Sequence, residues 1–435
     1  MSPLSNRTRV LLLFLAALAI GAGFIALNHE ASSGFFQDDE LANISWAPLA
    51  DAKTFFIGMI DPRFQRDNFR PVGHLYFAAL GKYAGLNFTP YVTAIFAIHL
   101  LNGILLYLLM RKMAVKEWCA LAGAAFFTLS ASAFDAYWKP MYVFDLLCTT
   151  FSLASILLFA RRRWVLSFVS FWLAYKAKEL AVMLPVVLGV YEYWFGERKF
   201  RPLIPYFATS LSFGIQGVLL NPNKDNDYTF RFTLESLLKT APFYAQRFLL
   251  LPAGGFVVFA LALLRDRRVW FGLLAMMLVM VPVLFLPGRL FEAYTYLPLA
   301  FVVVAAAAAA SRFNPLWAWV VLAFWMPVNV RQWRHERRAT LDRDRQIAVF
   351  VHDLGAFVSH NPGIQTLVYE GVPAGFHAWG VSAAWSIFHH KLDSPAVWFD
   401  WPDARSVLST QTIAYAKWDA AKERLQVTVR PPAQP

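Results

Sequence analysis

Three carboxylates stand in a row at Asp38, Asp39 and Glu40, directly behind Phe35-Phe36-Gln37. Like charges this close repel one another, so such a triplet either faces bulk water or is put to use, holding a proton or a cation. Asp38 and Asp39 are therefore candidate catalytic bases, with Glu40 shaping the same pocket. A solvated acidic turn that caps a helix from Leu41 onward is the competing reading, and for the triplet alone it is the better supported.

Other charged residues recur at the edges of apolar runs. Arg70 precedes Pro71, which favours an extended or turn backbone and leaves the guanidinium as an interfacial anchor or an anion ligand. Asp135 and Asp145 flank the 135–140 turn, and Asp145 lies inside an apolar run, where a carboxylate is costly and is a functional candidate by default. An interfacial position or pairing with Lys139 fits Asp145 equally well. Lys176, Lys178 and Glu179 form a charged knot in which Lys178 could meet a phosphate and Glu179 orient it, although an ion pair at a hairpin tip is worth little. Arg289 precedes Glu292, Tyr294 and Tyr296 in a turn that holds a second candidate anion ligand among aromatic anchors. His99 and Asn102 share one helix face, a spacing that more often joins helices than builds a site.

These residues are carried by a chain of 435 residues that is 58% hydrophobic and only 16% charged, against about a quarter charged in soluble proteins. Mean hydropathy is +0.45. Apolar runs of near-spanning length alternate with short polar clusters, which is the membrane pattern. The 16 Trp and 16 Tyr supply interfacial belts. Cys119 and Cys148 both lie in apolar runs, so no disulfide framework or metal cluster is implied.

Runs centred on 10–27, 91–110, 118–134, 141–160, 164–177, 180–195, 203–220, 243–264, 269–286, 294–311 and 316–330 predict an all-α polytopic membrane protein of about eleven transmembrane helices. The stretch 72–86 reads as an interfacial helix or one that dips into the membrane. The expected organisation is a transmembrane domain over 1–330, with a long first outer loop at about 28–72. A basic juxtamembrane segment and a small mixed α/β extracytoplasmic tail follow over 331–435. Net charge is +12, and much of it sits on alternate loops: Arg111, Lys112 and Lys116; Arg161 to Arg163; Arg198, Lys199 and Arg201; Arg265, Arg267 and Arg268. The positive-inside rule places these loops and the N-terminus in the cytoplasm, and the C-terminus outside, in what is expected to be a bacterial plasma (inner) membrane. Arg331, Arg334, Arg337, Arg338, Arg343 and Arg345 then fall outside against that rule. Either the span count is off by one or these charges serve another purpose, such as gripping phosphate, and the whole alternation favours the second reading.

On this topology Asp38, Asp39, Arg70, Asp135, Lys178, Glu179, Arg289 and the 331–345 segment share one membrane face. Carboxylates beside several cations at an outer surface suit a reaction on an anionic lipid. The order of the pieces resembles the C-type glycosyltransferase fold, and most closely its protein O-mannosyltransferase-like branch. The matching pieces are Asp38-Asp39, Phe69-Arg70-Pro71, His99 with Asn102, Asp135 through Asp145-Leu146-Leu147, Lys178-Glu179 with Pro185, and Tyr296-Leu297-Pro298. They cover roughly residues 30 to 335. The chain departs from the pattern at Asp135, where glutamate is usual, and at Ala293, where an arginine precedes the first tyrosine and Arg289 would substitute. It also lacks tetratricopeptide repeats.

The resemblance implies an inverting transfer from a polyprenyl-phosphate-linked sugar to an acceptor hydroxyl on a glycan, lipid or protein. The phosphate leaves without protonation, so one carboxylate base suffices, unlike glycoside hydrolysis with its two. Asp39 or Asp38 takes the proton. Arg70, Lys178, Arg289, Arg331 and Arg334 hold the donor phosphate. Glu40, His99, Asp135, Asp145, Glu179, Tyr294 and Tyr296 shape the pocket. No cofactor is expected beyond the lipid-linked sugar as co-substrate, and metal-free and metal-assisted readings of the aspartate pair both stay open. Competing classes are a transporter or lipid flippase, a glycan ligase or polymerase, and a non-catalytic scaffold. No repeat of the first half in the second favours transport, and nothing suggests nucleic acid as a partner.

Overall fold

The computed structural model describes residues 6–62, 69–219, 227–252, 254–392, 394–401, 404, 407–408 and 410–432; residues 221–226 of an outer loop expected at 221–242, and residues 63–68 of the first outer loop, lie outside them. The chain divides into two compact units. One comprises Met1–His29, Phe56–Gly73 and Ala94–Arg334, and the other Glu30–Phe55, His74–Thr93 and His335–Pro435.

The first unit is a helical bundle. Five helical segments are long and apolar enough to cross a bilayer: Arg7–Ser33, Phe88–Lys112, Pro140–Ala160, Arg267–Leu284 and Glu292–Ala310. Two bent pairs raise the number to seven if each is one span: Glu117–Leu129 with Ala131–Trp138, bent by 50°, and Leu234–Leu249 with Gly254–Leu264, bent by 74°. Among the described residues, then, five to seven of the eleven expected spans meet this length and composition. The remaining four runs do form helix, but Trp164–Ala177 has 14 residues, Leu184–Phe195 has 12 and Ile204–Leu219 has 16. At 1.5 Å per residue the first two fall short of a hydrocarbon layer of about 30 Å, and Ile204–Leu219 runs to the edge of the described residues. The fourth, from Leu316, continues unbroken through Arg331, Arg334 and the rest of the basic segment to His360, a single helix of 45 residues.

Glu292–Ala310 is the hub of the bundle, with 83% of its apolar window buried, whereas the N-terminal span is 6% buried and offers its leucines outward. Alanines 305–310 leave room for close neighbours, and Gly272 completes the fit. A Cβ at Gly272 would lie 2.6 Å from the Phe301 carbonyl oxygen and 2.6 Å from the Ala305 nitrogen. This is small-residue packing of the kind membrane helices use in place of hydrophobic drive.

The basic loops gather at one end of this unit. Arg9 pairs with Glu117, Lys116 Nζ donates to the Phe313 carbonyl at 3.0 Å, and Arg268 donates to the Ala114 carbonyl at 2.8 Å. Arg267 donates to the Trp194 carbonyl at 3.1 Å, and Arg162 pairs with the fully buried Glu192 at 2.7 Å. These are the alternate loops singled out by charge, now tied to one another.

The second unit holds a four-stranded sheet of order β2-β1-β3-β4, with β1 Leu367–Glu370, β2 Ala396–Trp398, β3 Ile413–Asp419 and β4 Arg424–Arg430. β1 runs parallel to β2 and β3, and β4 closes the edge antiparallel to β3. Val368, Ala404, Ile413 and Tyr415 form a core on it. The mixed tail expected from the alternating stretches around Thr366–Tyr369 is this sheet, and the helix Ala378–His389 joins it to the acidic turn by packing against the helix Asp38–Trp46. Phe36 seats the acidic turn from the other side, its ring 5.1 Å from Phe88 and 4.9 Å from Tyr91.

Candidate functional site

The acidic triplet is divided among three tasks. Gln37 precedes the helix Asp38–Trp46, and its backbone N–H donates to Glu40 at 2.6 Å, so the third carboxylate is a helix cap buried in the fold. All three acids occupy the first turn, where the helix dipole favours negative charge. The turn is pinned by Asp344 on the long helix, a buried carboxylate that accepts from the Phe35 N–H at 3.2 Å and from Gln37 Nε2 at 2.8 Å. The sequence reading passed over Asp344 because it sits among arginines.

Asp38 faces the start of the helix Ala378–His389. It accepts from the backbone N–H of His377 at 2.8 Å through Oδ1 and bonds the same residue's Nδ1 at 2.7 Å through Oδ2. Gly380 makes this approach feasible, since a Cβ there would come within 2.2 Å of Asp38 Oδ1. Burial pushes the Asp38 carboxyl above its ordinary value of 3.8, partly offset by the His377 hydrogen bonds. Asp39 is exposed and accepts from Trp379 Nε1 at 3.1 Å. The Trp379 indole stacks on the His377 ring at 4.5 Å and 11°. His377 and Trp379 are the residues sequence reasoning missed. Two aromatic rings spaced two apart beyond a glycine carry no motif, and their partners lie more than 300 positions away.

In the bundle, four of the remaining candidates meet as two ion pairs. Arg70 binds Glu179 through Nε at 2.9 Å and through Nη2 at 2.7 Å. Lys178 Nζ lies 2.5 Å from Asp145 Oδ2, with side-chain exposures of 9% and 3%. Two positive and two negative groups leave this quartet neutral. Burial opposes the Glu179 charge, but Arg70 more than compensates and holds the carboxyl below its ordinary 4.5. The Tyr294 ring lies under Lys178 at 4.5 Å, and the Phe144 ring under Arg70 at 5.6 Å. Asp135 pairs with Lys139 at 2.6 Å, so the lysine weighed as a partner for Asp145 serves Asp135 instead.

Arg289 is held differently. Its guanidinium lies 4.0 Å from the Tyr228 ring and 4.6 Å from the Phe291 ring. Its Nε is buried without a hydrogen-bond partner, and among the described residues no carboxylate pairs with it. Phe291 and Tyr294 touch at 5.6 Å, linking this arginine to the quartet. Nearby, Arg247 pairs with Glu292 at 2.7 Å and likewise keeps a buried, unpartnered Nε. Arg331 and Arg334 are exposed on the long helix, with no ion pair among the described residues.

His99 and Tyr296 form a closed network. His99 Nδ1 meets the Tyr296 hydroxyl at 2.6 Å and Nε2 the Thr128 carbonyl at 3.0 Å. Asn102 Nδ2 donates to the Leu146 carbonyl at 3.1 Å and accepts through Oδ1 from Thr150 at 2.7 Å. With both ring nitrogens satisfied and no exposed surface, His99 joins helices. Among the described residues, no group of three or more His, Cys, Asp or Glu side chains converges as a metal ion would require.

The sequence matches no family model and no curated protein sequence. The fold does have a solved counterpart. The crystal structure of ArnT from Cupriavidus metallidurans bound to undecaprenyl phosphate superposes with a TM-score of 0.53, covering 98% of this chain and 98% of that one, at 14% identity. At that identity the likeness speaks for a shared polytopic membrane fold.

Proposed function

We propose that the protein is an integral-membrane glycosyltransferase of the C-type fold. It moves a sugar from a polyprenyl-phosphate donor to an acceptor hydroxyl at the outer membrane face, with inversion. The observation that carries this reading is the end-to-end fold shared with ArnT, whose structure holds undecaprenyl phosphate. The ordered motifs from Asp38-Asp39 to Tyr296-Leu297-Pro298 support it independently, and the resemblance to the O-mannosyltransferase-like branch rests on them alone.

Arg289 is the first cation we assign to the donor phosphate. A guanidinium braced by two rings, with a buried donor unused, is oriented before any ligand arrives and loses little freedom on binding one. Arg331 and Arg334 add exposed positive charge. Arg70 and Lys178 serve the same phosphate only through a quartet whose charges already balance, so their main task is to hold the shape beneath Tyr294. Asp38 and Asp39 are the carboxylates we assign to deprotonation of the acceptor. In the step the acceptor hydroxyl loses its proton and its oxygen bonds to the anomeric carbon. The bond from that carbon to the phosphate oxygen breaks, and its electron pair leaves with the phosphate.

The test uses protein in lipid nanodiscs. Undecaprenyl phosphate binding, read by native mass spectrometry, should weaken at least tenfold in Arg289→Ala. Transfer from radiolabelled undecaprenyl-phosphate sugars to a membrane extract should fall in parallel. Equal binding by wild type and variant would remove Arg289 from the donor site. Flux of the labelled lipid across liposomes without transfer would move the assignment to a flippase.

A further inference from the structure

We infer that the acceptor's proton is taken by Nε2 of His377, with Asp38 as the carboxylate that positions the ring. This rests on the transferase reading and names the atom at which its deprotonation occurs. Asp38 grips His377 twice, by backbone N–H at 2.8 Å and by ring Nδ1 at 2.7 Å, which sets both the residue and its side chain. An ionised carboxylate can only accept, so the shared proton belongs to Nδ1 and the neutral ring presents a lone pair at Nε2. Among the described residues no partner meets Nε2, and the side chain is 54% exposed. A histidine kept only for packing would bury its ring and satisfy both nitrogens, as His99 does. Here one nitrogen is fixed, one face is stacked on Trp379, and the other nitrogen is left open.

The surroundings suit a ring that becomes positively charged during the reaction. Asp38 faces it from the helix Asp38–Trp46, and Asp39 on the same turn holds the stacked Trp379. From the long helix, the Arg343 stem passes 3.2 Å from the Cβ position of Gly375, two residues before the ring, and Arg343 Nε lies 3.9 Å from Asp344. Asp38, Asp39 and Arg343 are thus the charged groups nearest the ring that takes up the proton. In the step, the acceptor O–H proton moves to Nε2 as the oxygen bonds to the anomeric carbon and the phosphate departs with its electron pair. The imidazolium then returns the proton to water.

The experiment is steady-state transfer from the radiolabelled undecaprenyl-phosphate sugar that wild-type protein in nanodiscs uses, followed across pH, beside undecaprenyl phosphate binding. His377→Gln can still donate to Asp38 and so protects the local fold; His377→Ala opens a space for free imidazole. We expect a loss of at least about 100-fold in kcat for both variants, unchanged lipid binding, and loss of the wild type's acid-side decline in rate. Added imidazole should restore part of the rate to His377→Ala only. Transfer by His377→Gln within twofold of wild type, with the same pH profile, would overturn this inference and leave the transferase standing. Folded wild type that turns over no donor would overturn both.

Discussion

The ionic quartet of the bundle and the acidic turn of the sheet-bearing unit hold similar residue types to opposite effect. Arg70, Lys178, Asp145 and Glu179 balance one another's charges, with Asp145 Oδ1 alone of their oxygens buried without a hydrogen-bond partner among the described residues. Asp39 on the acidic turn, with His377 and Trp379 facing it, keeps an exposed carboxylate, a ring nitrogen with no partner among the described residues and a half-exposed indole, where the turn's other polar groups are tied down. A membrane protein needs both arrangements. Charge placed among apolar helices must be paired to be tolerated, whereas chemistry requires groups that are positioned but not yet satisfied. Arg289, braced by rings, belongs with the second kind although it sits in the bundle.

The largest effect that separates the two regions is on transfer. Asp39→Asn keeps an acceptor for Trp379 Nε1 yet removes a negative charge beside the stacked His377–Trp379 pair where positive charge develops, and it should lower transfer by about 100-fold with no change in thermal unfolding. A stability loss comparable to the activity loss would assign Asp39 to structure instead. In the quartet the balance reverses. Lys178→Met strands a buried carboxylate and should cost about 3–5 kcal/mol, while Lys178→Met with Asp145→Leu should regain most of it. Denaturation in detergent measures both, and a double variant no better than the single would break the pairing.

A smaller effect follows from Glu179. Its folded carboxyl titrates below 4.5, so the proton binds the unfolded chain more tightly. The resulting stability is present above about pH 4.5 and is lost as pH falls through the lowered folded value. Thermal midpoints measured downward from pH 6 should decline in wild type and lose this component in Glu179→Gln. The last pair of substitutions tests packing, beginning with Gly272→Ala, where a methyl group would press on the Phe301 carbonyl and the Ala305 nitrogen. Overpacking of this kind costs about 1–3 kcal/mol, and the same substitution at Gly21, which has open space around it, should cost no more than a few tenths.

Much of this was legible in the chain. Apolar runs and the arginines between them marked a polytopic membrane protein, and the alternate basic loops do meet one another. Charge is a local property that survives in sequence. Helix length was less legible, because an apolar run such as 164–177 reads alike whether or not it is long enough to cross. Bends at Ser130 and between Leu249 and Gly254 divide two further runs. Pairing was not legible at all. Arg70 finds Glu179 across 109 positions and Asp38 finds His377 across 339, and no periodicity carries such a match. Asp344 illustrates the same limit, an acid hidden among arginines that becomes the clamp on Phe35 and Gln37.

The most direct test of the central claim is turnover of radiolabelled undecaprenyl-phosphate sugars by purified protein in lipid, with a membrane extract as acceptor and Asp39→Asn in parallel. The account predicts that label leaves the lipid carrier and appears on an acceptor with wild type, that it stays on the carrier with the variant, and that both proteins bind undecaprenyl phosphate equally. Folded wild type that releases no label from any donor, or a variant that releases it as fast, would contradict it.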